Sequence, residues 1–360
     1  MKKVLFYALT LILPVVVLIS GMKIQTLKNI VLNGFYCNLP GAWLTGNISK
    51  APLPKVLAES AFSLLRFYEE AESFTYAQQS FSQPYFKKYD DQKTELPVSV
   101  VTLKPSSSDG YLIYNDVLIK DNSTKKPDIK AIFERKLDLG LKASEQGPQV
   151  LILHTHATES FNLSGAEKYD AAASFRSEDT SENVVAVGAV LAQELEKNGI
   201  GVIHSTVLHD SESYSGAYGR SLKTAEEILK KNPTIKVVLD VHRDSLIAQN
   251  KTKYRPIIEK DGITMAQVMI VIGTGTASLP NDNWKNNLRL AVSLQGRLDK
   301  SCSGLTRPIM LRDSRYNMHL SKGYLLLEIG SCGNTLEETK RSAVLIGKAL
   351  SEEIKERCEK

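Results

Sequence analysis

The chain has 360 residues, of which 42% are apolar and 24% charged, with 22 Gly and 13 Pro. That balance excludes a mainly disordered chain, a collagen-like chain and a polytopic membrane protein, and the length suits two modest folded units or one larger domain with appendages. A net charge of +5 from 45 cations and 40 anions is too weak for a nucleic-acid binder, though it suits contact with anionic surfaces such as a membrane or acidic wall polymers.

At the N-terminus, Lys2 and Lys3 precede an uncharged run from Val4 to about Met22. At about 1.5 Å per residue this run nearly spans a hydrocarbon core of about 30 Å. It is expected to be an uncleaved single-pass anchor over residues 1–24, with the lysines inside and the rest of the chain exported. A cleavable signal peptide is the alternative, since Ser20 and Gly21 are small residues at the right distance. Four cysteines, Cys37, Cys302, Cys332 and Cys358, lack C-x-x-C spacing, which argues against a cysteine-based zinc site.

Residues 25–145 read as a variable extracytoplasmic region and linker. An amphipathic helix is predicted over Pro54–Glu72, followed by a polar segment from Gln78 to Lys93. Val98–Lys104 reads as extended, Pro105–Gly110 as a turn, Tyr111–Tyr114 as strand-like and Ile129–Gly140 as a short helix. From residue 146 to 360 the pattern alternates. Strands are predicted at Gln149–Leu153, Ile200–His204, Ile235–Val241, Ala266–Ile272, Pro308–Leu311 and Tyr324–Ile329. Helices are predicted at Ser181–Asn198, Ser221–Lys231, Asn283–Cys302 and Leu336–Lys355. Such alternation implies an α/β domain with a mostly parallel sheet flanked by helices, and a site outside the carboxyl ends of the strands.

Polar residues cluster at those ends. After the first buried strand comes His154-Thr-His156-Ala-Thr-Glu159, after another Asp240-Val-His242-Arg243-Asp244, and Glu328 sits in the last strand ahead of Asn334. His156, Glu159 and His242 form a plausible three-ligand zinc set with a fourth position open, the arrangement of catalytic zinc. Glu328 is then the natural general base, because a carboxylate in an apolar strand requires a cation, a metal or donors. Arg243 is a candidate for oxyanion stabilisation or for orienting a substrate carboxylate, and equally for an ion pair with Glu328. His154 remains an alternative to His156. A metal-dependent amide hydrolase is the chemistry this set supports; a wall-binding module without metal and a zinc peptidase acting on stem peptides are the other readings.

The blocks His154–Phe161, Asp240–Asp244, Trp284 and Asn287 through Arg307-Pro308, and Arg315-Tyr316-Asn317 with Leu327–Gly330 and Asn334–Glu338 resemble the stage II sporulation protein P family. Met318 stands where the family usually has Gln after Tyr-Asn. The resemblance implies a membrane-anchored, zinc-dependent N-acetylmuramoyl-L-alanine amidase with endopeptidase activity, acting on peptidoglycan during forespore engulfment. It also implies two partners, a sporulation lytic transglycosylase (stage II protein D) and a polytopic membrane protein (stage II protein M), and a place between the mother cell and forespore membranes. Amidases of similar fold carry the ligand glutamate at the start of the first helix, where this chain has Glu182, so Glu159 and Glu182 are both candidates. Asn317 and Asn334 are the expected substrate contacts.

Overall fold

A computed structural model describes residues 94–357, apart from 106, 143–145 and 164. The expected anchor and the amphipathic Pro54–Glu72 helix lie outside the described residues. Among those described, no helix is long and apolar enough to cross a membrane.

Eight strands form the central sheet. In chain order they are β2 (Leu112–Tyr114), β3 (Val117–Asn122), β4 (Val150–Leu153), β6 (Val202–His204), β7 (Val237–Asp244), β10 (Val268–Gly273), β11 (Ile309–Arg312) and β12 (Gly323–Ser331). Their spatial order is β2-β3-β11-β10-β12-β7-β4-β6. Only the β2–β3 and β10–β12 pairings are antiparallel. The mostly parallel sheet expected from the alternation is present. A second sheet, unforeseen in the sequence, has the order β5-β1-β8-β9, built from β1 (Glu95–Val101), β5 (Lys168–Asp170), β8 (Lys253–Lys260) and β9 (Ile263–Ala266). Its strands carry no unbroken apolar run, because several of their residues are exposed. Strands from residues 95–122 thus enter both sheets.

The two faces of the central sheet follow from the strand period of two. Val150 and Ile152, Val237, Leu239 and Val241, and Leu325, Leu327 and Ile329 pack on one face. They meet helices α2 (Val184–Lys197), α4 (Trp284–Ser301) and α5 (Leu336–Arg357), α1 (Ile129–Phe133) being a short connector. Leu151 and Leu153, Val238, and Tyr324 and Leu326 point the other way, toward α3 (Ala217–Lys231) through Ala225 and Ile228. Both faces are covered, which is why β4, β7, β10 and β12 are buried at every residue.

Helix α2 starts two residues later than the predicted Ser181 cap. Asn183 is the cap, its side-chain oxygen accepting from Val185 N at 2.9 Å, and Gly199 at φ +80° ends the following turn. Its Gly188 lets the helix approach β4. A Cβ there would lie 2.6 Å from His154 Cε1 and 2.8 Å from His204 Nε2. Gly188→Ala is therefore expected to lower stability by about 1–3 kcal/mol despite the better helix propensity of Ala. Chemical denaturation of the two proteins checks this; an equal or higher midpoint for the variant would contradict the close approach.

Candidate active site

The same parity that builds the core sorts the polar residues. On β7, Asp240, His242 and Asp244 share the face of Val238, whereas Arg243 shares the opposite face with Val241. On β12, Glu328 shares the face of Tyr324 and Leu326. In the parallel register Glu328 is the direct partner of His242, so the two side chains emerge together on the α3 face near the carboxyl end of the sheet. Past Glu328 the β12–β7 register shifts, with Gly330 at φ +71°, which ends regular pairing beside the site.

The segment after β4 folds over these strand ends and brings two more donors. Glu159 Oε2 lies 3.5 Å from His242 Nδ1 and accepts from Arg243 N at 3.2 Å. On its other side, His242 Nε2 is 2.9 Å from Asp240 Oδ1, without the alignment of a hydrogen bond. Asp240 is held in turn by Thr155 N at 2.8 Å and Thr155 Oγ1 at 2.7 Å. The His156 ring sits 5.5 Å from the His242 ring, centroid to centroid. Tyr214 stacks on His156 at 4.1 Å and 5°, and Tyr218 meets it edge-on at 5.6 Å. His156, Glu159, His242 and Glu328 are all buried.

Burial sets the charge states, modified by neighbours. Burial and the adjacent His242 charge push His156 down to about 3, although Glu159 opposes them, so its ring is neutral at pH 7. Burial also opposes the charged form of His242, yet Asp240 and Glu159 outweigh it and raise the group well above its usual value. Burial would raise Glu159 and Asp240 too. Arg243 and His242 hold Glu159 below the usual carboxylate range, and His242 with the Thr155 bonds does the same for Asp240. Glu328 goes the other way: burial, then the Asp244 charge, lifts it to about 8. Asp244 is paired with Arg307 at 2.8 Å, while Glu328 Oε2 has no hydrogen-bond partner.

Other sequence candidates fall elsewhere. His154 lies on the opposite sheet face. Its Nδ1 faces the Val241 carbonyl at 2.9 Å and its Nε2 faces His204 Nε2 at 2.9 Å. Because a carbonyl only accepts, Nδ1 carries the proton and the Nε2 lone pair is taken by His204, so His154 has no nitrogen left for a metal. Arg243 is 1% exposed and spends its guanidinium on the carbonyls of Ser160, at 2.9 Å, and Phe175, at 2.9 Å. It braces the loops of the site rather than facing Glu328. Glu182 is partly exposed and accepts from Ser177 Oγ at 3.3 Å. Asn317, at φ +56°, donates to Tyr218 O, and Asn334 is fully buried between Ser331 N, Pro256 O and Glu338. Both asparagines hold main chain in place. Sequence reasoning left Asp240 without a role, although its parity with His242 was readable. Asp210, Arg176 and Tyr214 come from loops whose sequences carry no periodic signal.

The spacing and charge of the donor set bear on a divalent cation. Tetrahedral zinc ligands at about 2.0–2.1 Å stand roughly 3.3 Å apart, close to the 3.5 Å between Glu159 and His242. Glu328 Oε2 is a buried polar atom without a hydrogen-bond partner, and the unpartnered His156 Nδ1 and His242 Nε2 each face a carboxylate, Asp210 and Asp240, which leaves the opposite ring nitrogens for a cation. Among the described residues, no three His, Cys, Asp or Glu side chains converge at coordinating distance. The imidazolium of His242 between two buried carboxylates supplies the positive charge the cluster demands, and a cation displacing that proton would answer the same demand. The residues fit in kind and charge, with His156 the one that has to draw in.

These features define an α/β protein with a buried histidine–carboxylate cluster at the carboxyl edge of a mostly parallel sheet. The model of the stage II sporulation protein P family matches residues 59–351, and the chain belongs to that family. It is 28% identical over 245 residues to the stage II sporulation protein P of Bacillus subtilis (strain 168), a match covering 64% of this chain and 54% of that relative. The chain thus spans about half the length of the curated relative it matches. Among solved structures, the N-acetylmuramyl-L-alanine amidase Ami1 from Mycobacterium smegmatis is similar at 11% identity and a TM-score of 0.35, over 59% of this chain and 100% of that one. The CwlD amidase from Clostridioides difficile, solved in complex with the GerS lipoprotein, is similar at 16% identity and a TM-score of 0.34, over 57% and 99%.

A stability consequence follows from Glu328. With its carboxyl lifted from the usual 4.5 to about 8, the folded state holds a proton that the unfolded chain releases. Stability therefore declines as pH rises from about 4.5 to about 8, and the cost is complete above that range. In metal-free protein, Glu328→Gln is expected to raise the denaturation midpoint at pH 9 and to leave it unchanged at pH 4. A pH-independent effect would show that the carboxyl is not strained by burial.

Proposed function

We propose that this chain is a peptidoglycan hydrolase of sporulation: a zinc-dependent N-acetylmuramoyl-L-alanine amidase with endopeptidase activity on peptide cross-links. The observation that carries the reading is the buried Glu328 carboxyl, its Oε2 without a hydrogen-bond partner, in register with His242 and beside Glu159 and His156. Family membership sets its biological context. By the same resemblance the enzyme works outside the cytoplasm, anchored by residues 1–24, between the mother cell and forespore membranes. Its expected partners are a sporulation lytic transglycosylase (stage II protein D) and a polytopic membrane protein (stage II protein M).

His156, Glu159 and His242 would hold the zinc. When bound, zinc supplies Lewis-acid polarisation of the scissile carbonyl and acidification of water. Glu328, ionised, takes the proton from the attacking water and, protonated, returns it to the leaving amine as the bond between the muramic acid lactyl group and L-alanine breaks. Its high affinity for a proton suits the second half of that cycle. Asp240 holds His242 from behind, and Thr155 holds Asp240. Arg243 keeps the Ser160 and Phe175 loops in place, so its part is positional.

The test uses the purified full chain, with elemental analysis for metal and mass analysis of digested peptidoglycan. About one zinc per chain is expected. Glu328→Gln should keep zinc and lose activity by about 10²–10⁴-fold, and His242→Ala should lose both. New muramic acid termini mark amidase cleavage, and new peptide termini mark endopeptidase cleavage. A fully active His242→Ala protein would refute the assignment.

A further inference from the structure

His156 differs from His242 in how it is held. His242 lies in a strand, its ring fixed by the sheet and by Asp240. His156 lies beyond the end of β4, in a segment with no regular hydrogen-bond ladder, yet it is buried to 6% exposure. Two of its neighbours come from one other loop. Asp210, in the segment between β6 and α3, brings Oδ2 to 3.8 Å from His156 Nδ1. Tyr214, four residues on, lies flat against the same ring.

Asp210 is itself tightly restrained. Its side chain is fully buried. Thr158 N donates to Oδ1 at 3.0 Å, Thr158 Oγ1 donates to Oδ2 at 2.7 Å, and Arg176 Nη1 donates to Oδ2 at 2.5 Å. Arg176 also donates to Thr158 Oγ1 at 2.9 Å and places its guanidinium carbon 4.8 Å from the Tyr214 ring centroid. One cation therefore ties together the His156 segment, its own segment before α2, and the Asp210–Tyr214 segment. A carboxylate offers about four acceptor positions, two on each oxygen; Thr158 Oγ1 and Arg176 take those of Oδ2 and Thr158 N takes one of Oδ1, so the position left for His156 is on Oδ1.

We infer that Asp210, locked by Arg176, is the positioning carboxylate of His156: it fixes the proton on Nδ1 and, with Tyr214 stacked on the ring, presents Nε2 to Glu159 and His242. The geometry has three supports. The buried Nδ1 has no hydrogen-bond partner, and a charged acceptor stands 3.8 Å away, about 0.6 Å beyond hydrogen-bond range. The stack removes the ring's freedom to tilt. Histidines that ligate metals commonly donate their second nitrogen to a carboxylate, which fixes the tautomer and raises the basicity of the ligating nitrogen. Asp210 would then serve His156 as Asp240 serves His242, although it comes from a loop instead of the adjacent strand. Neither its position nor that of Arg176 follows from the strand-end pattern that reveals the rest of the site.

The zinc-related part of this inference rests on the proposed metal site, and the tautomer part does not. In the full metal-free chain labelled with 15N at its six histidines, His156 is expected to be protonated at Nδ1 and bare at Nε2. The bare nitrogen at Nδ1 would overturn the assignment whether or not the protein takes up zinc. Asp210→Asn, titrated with zinc alone, is expected to bind about 10–100-fold more weakly than wild type and to release the His156 proton from Nδ1. Its melting temperature in chelator falls as well, because Arg176 loses its buried partner, and the tautomer separates the positioning role from that loss. Arg176→Lys, which keeps the charge but loses the fork that reaches both Asp210 and Thr158, should weaken zinc binding by less. An Asp210→Asn protein with wild-type affinity would overturn the inference. A His156→Ala protein with wild-type affinity would instead refute His156 as a ligand, so the two failures are distinguishable.

Discussion

The structure turns on a register. Strands β7 and β12 run parallel with His242 opposite Glu328, which puts an imidazole and a carboxylate side by side on one face of a sheet covered on both faces. Removing a carboxylate from water costs several kcal/mol unless a positive charge or donors replace the lost hydration. Much of the surrounding architecture answers that cost. His242 is held in its charged form between Glu159 and Asp240, Arg307 pairs with Asp244, and Glu328 keeps a proton that an exposed glutamate would lose. A shift of one residue in the β12 register would send Glu328 to the opposite face, against the apolar packing of α2 and α5 and away from His242.

Around that pair the loops are tied by long side chains that reach main-chain carbonyls. Arg243 points away from His242 because of the strand alternation, and from there it grips the Ser160 and Phe175 carbonyls of the segment that carries Glu159. At the far end of β12, Ser331 and Asn334 bond Tyr254 and Pro256 of the second sheet, so the turn after Glu328 is anchored to strands remote in sequence. The second sheet thereby acts as a buttress for the site. Residues that look functional by type, such as Arg243, Asn317 and Asn334, are mostly employed in holding these loops, which cannot hold themselves through a backbone ladder.

The His154–His204 contact shows how the chain separates chemistry from structure within a single tripeptide. His154 and His156 are two residues apart, yet the first stays in strand geometry and faces α2, where both its nitrogens are engaged, and the second is carried over the sheet edge by the turn. Burial keeps His154 at about 3 and His204 at about 4, so both stay neutral through the physiological range. A neutral pair can share one hydrogen bond, and Gly188 provides the space for it.

Continuous apolar runs and helical spacing were enough to reveal the strands and helices of the central sheet, since burial on both faces and the 3.6-residue period are properties of local sequence. The gathering of His242 and Glu328 at the strand ends was legible for the same reason, and strict attention to alternation would have separated Arg243 and His154 from them as well. The second sheet was not legible, because its strands are half-exposed and owe their existence to pairing between residues as distant as Val98 and Lys253. Asp210, Arg176 and Tyr214 were invisible for a related reason. Their positions are decided by three loops closing on a single guanidinium, and a loop's path depends on what it meets in space, which no periodicity records. The sequence by itself determined which residues enter strands and which face each strand residue takes; tertiary structure alone decided which loop residues complete the site, because only folding brings those segments within reach of one another.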